Sequence, residues 1–182
     1  MKKTIKVMSL ISGIVFMHSC QNNTTFLITE TSVGPLTQST TVKELESTFV
    51  QDSIVADTVR INLGVSPEKF EVYEKGGKHL LTLKANADSI PTIENVRIMD
   101  PRYLSEKGVG LQSTFKDIQK NYEIKKIVTT LNSIVIFPKA SNLYFTIDKE
   151  ELPENLRFSN SEIEAVQIPD DAKIKYLMVG WE

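Results

Sequence analysis

The chain has 182 residues, 41% apolar and 24% charged, with 7 Pro and 8 Gly. That balance excludes collagen-like, intrinsically disordered and polytopic membrane classes. A formal charge of −2 supplies no basic excess for nucleic acid, and two His with one Cys cannot assemble a Cys/His zinc site.

The first 19 residues read as a leader. Lys2, Lys3 and Lys6 form a basic start, and Val7 to Met17 is an uncharged, largely apolar run. That run is too short to cross the roughly 30 Å hydrocarbon core as a helix. It ends Phe16-Met17-His18-Ser19-Cys20, a small residue directly before the single Cys of the chain. This resembles a bacterial lipoprotein signal peptide, with Met17 and His18 departing from the commonest leucine-then-small pattern. The resemblance implies cleavage before Cys20 and acylation of its sulfur and amine, palmitate included. Several buried acyl chains would give near-permanent anchoring. Residues 20–26 then form the lipidated Cys and a polar tether. Gln21 after the Cys, and no acidic cluster behind it, point to the periplasmic side of an outer membrane. Without residues 1–19 the charge becomes about −5, and His79 is the only imidazole left for a triad.

The rest of the chain reads as one pattern written twice. Thr41-Val42-Lys43-Glu44-Leu45-Glu46-Ser47-Thr48-Phe49 matches Thr114-Phe115-Lys116-Asp117-Ile118-Gln119-Lys120-Asn121-Tyr122, 73 positions on. Each segment starts on Thr with an acid three residues later, a helix-start signal. Val42, Leu45, Phe49 and Phe115, Ile118, Tyr122 then recur at i, i+3 and i+7, which lines one face of a short helix.

Phe70 to Lys75, Gly76-Gly77 and Lys78 to Leu83 read as a hairpin around a two-residue turn. That turn pairs Phe70 with Leu83, Val72 with Leu81 and Glu74 with His79, leaving Tyr73 and Leu80 on the other face. At the same offset, Leu143 to Ile147 keeps the parity with Tyr144 outward, and Ile134 to Phe137 is its expected partner. A third match aligns Ile93 to Ile98 with Ile163 to Ile168, 70 positions on. Loops are expected at Leu63 to Glu68, Ala85 to Thr92, Pro101 to Lys107 and Lys149 to Asn160. Ile174 to Trp181, apolar at both parities, reads as a strand covered on both faces.

The expected fold is therefore α+β: a tandem repeat of a short helix followed by an antiparallel meander, helices on one face of the sheet. Residues 27–104 would form the first repeat and residues 105–182 the second, fused or as one domain. Across residues 33–182 this organisation resembles the helix-plus-sheet unit of beta-lactamase inhibitor proteins, and is similar to the small lipoprotein of the barrel-assembly machinery. Leader and body together look like an uncharacterised Bacteroidetes lipoprotein family. The inhibitor resemblance implies a sheet surface presented to a protein partner, here Tyr73, Leu80, Ile136 and Tyr144.

Candidates for chemistry read mostly as structure. His79 reads as half of a solvated pair with Glu74. Glu94 with Glu164 and Asp100 with Asp170 are tempting carboxylate pairs, yet each counts one position twice, whereas a catalytic dyad needs two different environments. Gly108-Val109-Gly110 lacks the third glycine of a nucleotide fingerprint. Asp148, Glu150, Glu151 and Glu154 lack a calcium-loop pattern and read as a solvated turn. Asp52-Ser53-Ile54, Asp57-Thr58-Val59 and Asp88-Ser89-Ile90 resemble the Bacteroidetes O-glycosylation consensus, with Ser89 best placed in a loop.

No catalytic residue, metal ligand or cofactor is assigned. The expectation is a non-enzymatic envelope module that binds a protein partner and no nucleic acid. A carboxylate-dependent glycan hydrolase and a small-ligand or toxin-neutralising lipoprotein are its rivals.

Overall fold

A computed structural model describes residues 25–56, 68–159 and 161–181. The leader, Cys20, most of the loop expected at Leu63 to Glu68 and the tripeptide Asp57-Thr58-Val59 lie outside the described residues. The fold is mixed α+β and strand-rich, with two sheets and few helices. Among the described residues, no helix is long and apolar enough to cross a membrane.

The smaller sheet has the order β3-β2-β1-β8, built from β1 (Leu27–Ile28), β2 (Ser32–Val33), β3 (Leu36–Thr37) and β8 (Leu104–Ser105). These two-residue strands were not expected from the sequence, being too short for a period of two to show. The larger sheet contains β4 (Ser53–Ala56), β5 (Lys69–Tyr73), β6 (His79–Ala85) and β7 (Ile93–Ile98) from the first half of the chain. It also holds β9 (Ile124–Thr129), β10 (Ser133–Pro138), β11 (Leu143–Asp148) and β12 (Ile174–Gly180). Its order is β4-β5-β6-β7-β12-β11-β10-β9, antiparallel throughout, so two four-stranded meanders meet at β7 and β12.

A helix precedes each meander. Val42–Glu44 is a 3-10 turn that runs into α1 (Leu45–Thr48), and α2 spans Phe115–Asn121. The matching starts have matching caps. The Thr41 N–H donates to Glu44 Oε2 at 2.9 Å and the Thr114 N–H to Asp117 Oδ2 at 2.9 Å. Each bond satisfies a donor that the first helical turn leaves without a partner. A third short helix, α3 (Glu154–Arg157), lies in the long β11–β12 connection.

The strands equated at constant offset are not equivalent in the sheet. Leu143 to Ile147 is β11, the third strand from its edge, whereas Phe70 to Glu74 covers β5, the second from its own. Ile163 to Ile168 is no strand: Ala165–Gln167 is a 3-10 turn, with Ile163 and Ile168 buried and Val166 exposed. The strand placed like β7 is β12. The number of residues between strands is the reason. Residues 57–68 join β4 to β5, while residues 130–132 suffice between β9 and β10, so the offset cannot stay constant.

The first hairpin differs from expectation only at its tip. The Glu74 N–H donates to the Lys78 carbonyl at 2.9 Å, giving a three-residue loop, with Gly76 and Gly77 both at positive φ. That slips the register by one, and a bulge beside Val72 and Tyr73 slips it back. Phe70 and Val72 therefore meet Leu83 and Leu81 as expected, but Tyr73 meets His79. Leu80 is the extra residue of the bulge and turns into the core, 3% exposed.

Along the sheet, Phe70, Val72, Leu81, Leu83, Val96, Leu177, Val179, Phe145, Ile147, Ile134 and Ile136 are buried on one parity. They share one cluster with Leu45, Phe49, Phe115, Ile118 and Tyr122 of the helical segments. Burial of each such side chain contributes roughly 1.5–3 kcal/mol, which is what holds helices this short.

Candidate functional site

The opposite parity forms the other face of the large sheet, and one row of it crosses all eight strands. Val55, Glu71, Thr82, Arg97, Met178 and Tyr144 are cross-strand neighbours in that order. Phe137 continues the row by stacking on Tyr144, ring centroids 5.5 Å apart, and Lys126 opposite it places its ammonium 4.7 Å from the Phe137 ring. None of these side chains is buried.

The second-half end of the row opens into a groove of about 850 Å³, whose lining includes Lys84, Glu94, Asn95, Lys126, Phe137 and Tyr144. The Asn95 side-chain amide donates to the Tyr144 hydroxyl at 2.5 Å, tying β7 to β11 across β12. Gly180 is the β12 residue between them, and a Cβ there would stand 3.4 Å from the Tyr144 ring. Burial pushes the Tyr144 phenol above its ordinary pKa, and the bond from Asn95 offsets part of that. Lys84 pairs with Glu94 at 2.5 Å, so the one acid lining the groove is neutralised. Trp181 and Asn142 both donate to the Glu30 carbonyl, at 3.2 and 2.8 Å, closing one end.

Arg97 stands at the middle of the sheet. Its guanidinium lies 3.8 Å over the Tyr176 ring, its Nε is buried without a hydrogen-bond partner, and it has no carboxylate partner among the described residues. The pattern is an aromatic strip between two cations, Arg97 and Lys126, that have no carboxylate partner among the described residues. Four strand spacings separate them, on the order of 19 Å.

Of the four residues expected on a partner-binding face, the structure puts two on the outward face of the large sheet. Tyr73, stacked on His79 at 4.7 Å, and Tyr144 are half-buried on this parity. Leu80 and Ile136 belong to the core, the first because of the bulge. Ile136 alternates with Phe137 on β10, and the inner face takes Ile134 and Ile136 while Val135 and Phe137 point away. Phe137, not among the four, lies on the outward face beside Tyr144, and its parity with outward Tyr144 was the signal that could have placed it there.

The remaining candidates are dispersed. His79 Nε2 lies 2.7 Å from Glu71 Oε2, not beside Glu74. Burial disfavours the Glu71 charge, but bonds from Lys69 and Thr82 outweigh it and hold its carboxyl below the ordinary range. Glu74 instead takes two bonds from Arg102, at 3.0 and 2.9 Å. Arg102 and Lys78 also clasp Asp100, whose side chain is 0% exposed. Burial works against that charge, yet the bonds from Arg102 and Lys78 hold the Asp100 carboxyl far below the usual carboxylate range. Asp170, by contrast, is exposed and bridges to Lys116 at 3.1 Å. Glu94 is a strand residue and Glu164 caps a 3-10 turn, so neither tempting pair shares an environment.

Asp148 caps a 3-10 turn and pairs with Lys175, which draws its carboxyl below the ordinary range. Among the described residues, no group of three or more His, Cys, Asp or Glu could hold a metal ion. Ser89 is exposed in the loop after β6, where the Asn86 side chain accepts from the Asp88 and Thr92 N–H groups. Ser53, by contrast, sits in β4.

No protein-family model matches the chain, and no curated protein matches it significantly. Among solved structures, the crystal structure of the uncharacterized protein YfeY from Escherichia coli is similar over 85% of this chain and 99% of that chain, with a TM-score of 0.54 and 15% identity. The two share a fold. At that identity the likeness speaks for architecture alone.

Proposed function

We propose that this chain is an envelope lipoprotein, anchored through Cys20, that binds a protein partner with the outward face of its large sheet and catalyses no reaction. The reading rests most on the row Arg97-Met178-Tyr144-Phe137-Lys126, apolar and aromatic at its centre and cationic at both ends. Aromatic and Arg side chains supply a disproportionate share of interface energy, and charged ends fix register on a partner. The face suits an acidic protein segment with an apolar middle.

The leader supports an outer-membrane, periplasm-facing location and a lipid anchor. The mirrored strand order and paired caps support a tandem origin for residues 27–104 and 105–182, with the helices of both repeats on one side of the shared sheet. Ser89, exposed in its loop, is the proposed O-glycosylation site. The hydrolase alternative requires two acids facing one cleft about 5–9.5 Å apart. The groove holds Glu94 alone, with Lys84 occupying it, and where Asp148 and Glu150 do line one cavity, Asp148 is taken up by Lys175 and by the turn it caps.

Copurification from detergent-solubilised envelopes tests the reading. A specific partner should be retained by the native chain and by Glu46→Ala on α1, and lost with Phe137→Ala or Arg97→Ala. Equal recovery with all four proteins would refute it.

A further inference from the structure

A second cavity, of about 940 Å³, is lined by Leu131, Asn132, Asp148, Lys149, Glu150, Arg157, Phe158 and Lys175, none of which lines the groove above. Lys149 is its unusual member. The residue is 3% exposed, and its ammonium donates to one acceptor, the Ser159 carbonyl at 2.6 Å. An ammonium has three donors, and among the described residues no carboxylate lies within ion-pairing distance of this one. A buried cation left without a counter-charge is costly, and one neutral carbonyl does not repay its lost hydration.

Arg157, an exposed residue on the same cavity, also lacks a carboxylate partner among the described residues. Its Nε donates to the Leu152 carbonyl at 2.9 Å, and its two terminal nitrogens have no protein acceptor among the described residues. Lys175 is already matched by Asp148. At the same cavity, Phe158 and Leu131 are 90% and 78% exposed, large apolar surfaces left in water. Asp148 and Glu150 on the wall oppose any ligand carrying several negative charges.

We propose that this cavity binds a monoanionic amphiphile, its carboxylate or phosphate ester held by Lys149 and Arg157 and its apolar body laid against Phe158 and Leu131. The site is independent of the sheet-face reading. Each half of the chemistry answers one unmet need: a counter-charge for the buried ammonium and cover for the exposed phenyl ring.

Titration calorimetry and thermal shift on the full chain test it with three matched probes. These are 4-phenylbutyrate (anion and apolar body), 4-phenylbutanol (apolar body only) and acetate (anion only). The expected result is saturable binding of 4-phenylbutyrate, at least about tenfold tighter than either partial probe. Lys149→Met should weaken it about tenfold or more while the ligand-free melting temperature holds or rises, because an uncompensated charge is removed. Phe158→Ser, at a position too exposed to threaten folding, should weaken it severalfold. Three results would each overturn the proposal: no binding of 4-phenylbutyrate at millimolar concentration, equal binding by both variants, or a marked fall in the melting temperature of ligand-free Lys149→Met.

Discussion

Arg102→Met removes the guanidinium from the Asp100 cluster and keeps an apolar stem against Phe26, over whose ring the guanidinium lies at 4.1 Å. Asp100 is wholly buried and accepts from the Arg102 N–H at 2.8 Å, from Arg102 Nε and Nη2, and from Lys78 at 2.8 Å. Breaking a buried pair from one side costs about 3–5 kcal/mol. Here Lys78 and the backbone N–H remain and Arg102 is 36% exposed, so about 2–3 kcal/mol is expected. For a chain of this size that corresponds to roughly 5–10 °C in melting temperature.

The pH dependence follows from the depressed Asp100 carboxyl. A folded pKa below the unfolded value, about 3.9, gives stability that is complete above that value and lost as pH falls through the folded one. The gap between native protein and variant should therefore be full at pH 7 and shrink as pH drops below about 4. Urea unfolding followed by fluorescence of the single, buried Trp181 reads this directly. A gap under about 0.5 kcal/mol at pH 7, or one that does not change on acidification, would refute the reasoning.

Other substitutions probe the fold and the face. Ile136→Ser should cost about 3–4 kcal/mol in urea melts, whereas Val128→Ser, 40% exposed on the outward parity, should stay within about 0.5. Gly34→Ala should destabilise by roughly 3 kcal/mol, since φ is +56° and a Cβ would meet the Thr25 carbonyl oxygen at 2.4 Å. Gly108→Ala, at φ +76° with open space around it, should cost only about 1–2 kcal/mol by the same assay. Tyr144→Phe loses the bond from Asn95 and should cost about 1 kcal/mol, and in the native protein the Tyr144 phenol should ionise above pH 10 in ultraviolet titration.

The helix starts were legible because capping is local: a Thr and an acid three residues later define a geometry that no distant contact alters. Hairpin parity was legible for Phe70, Val72, Leu143 and Phe145 because alternation survives any loop. Tip geometry was not, since three residues plus a bulge and two residues without one give the same register beyond Leu81. Ile163 to Ile168 has a strand's composition, yet buries only its ends as a 3-10 turn. Asp100 followed by Pro101 read as a turn, and nothing in its neighbours announced that Arg102 and Lys78 would close over it. The cavity at Lys149 was hidden for a similar reason. In a run of acidic residues a lysine reads as solvated, and its burial depends on Ser159, ten positions away, and on strands from elsewhere.

The decisive measurement is photocrosslinking in intact cells from single positions on the two sides of the molecule. With a photoreactive residue at Phe137, Tyr144 or Val128, the same adduct of defined mass should appear at all three positions. The same probe at Glu46 or Lys116 on the helices should give none. Adducts confined to the helical positions, or no adduct from the sheet face, would contradict the account.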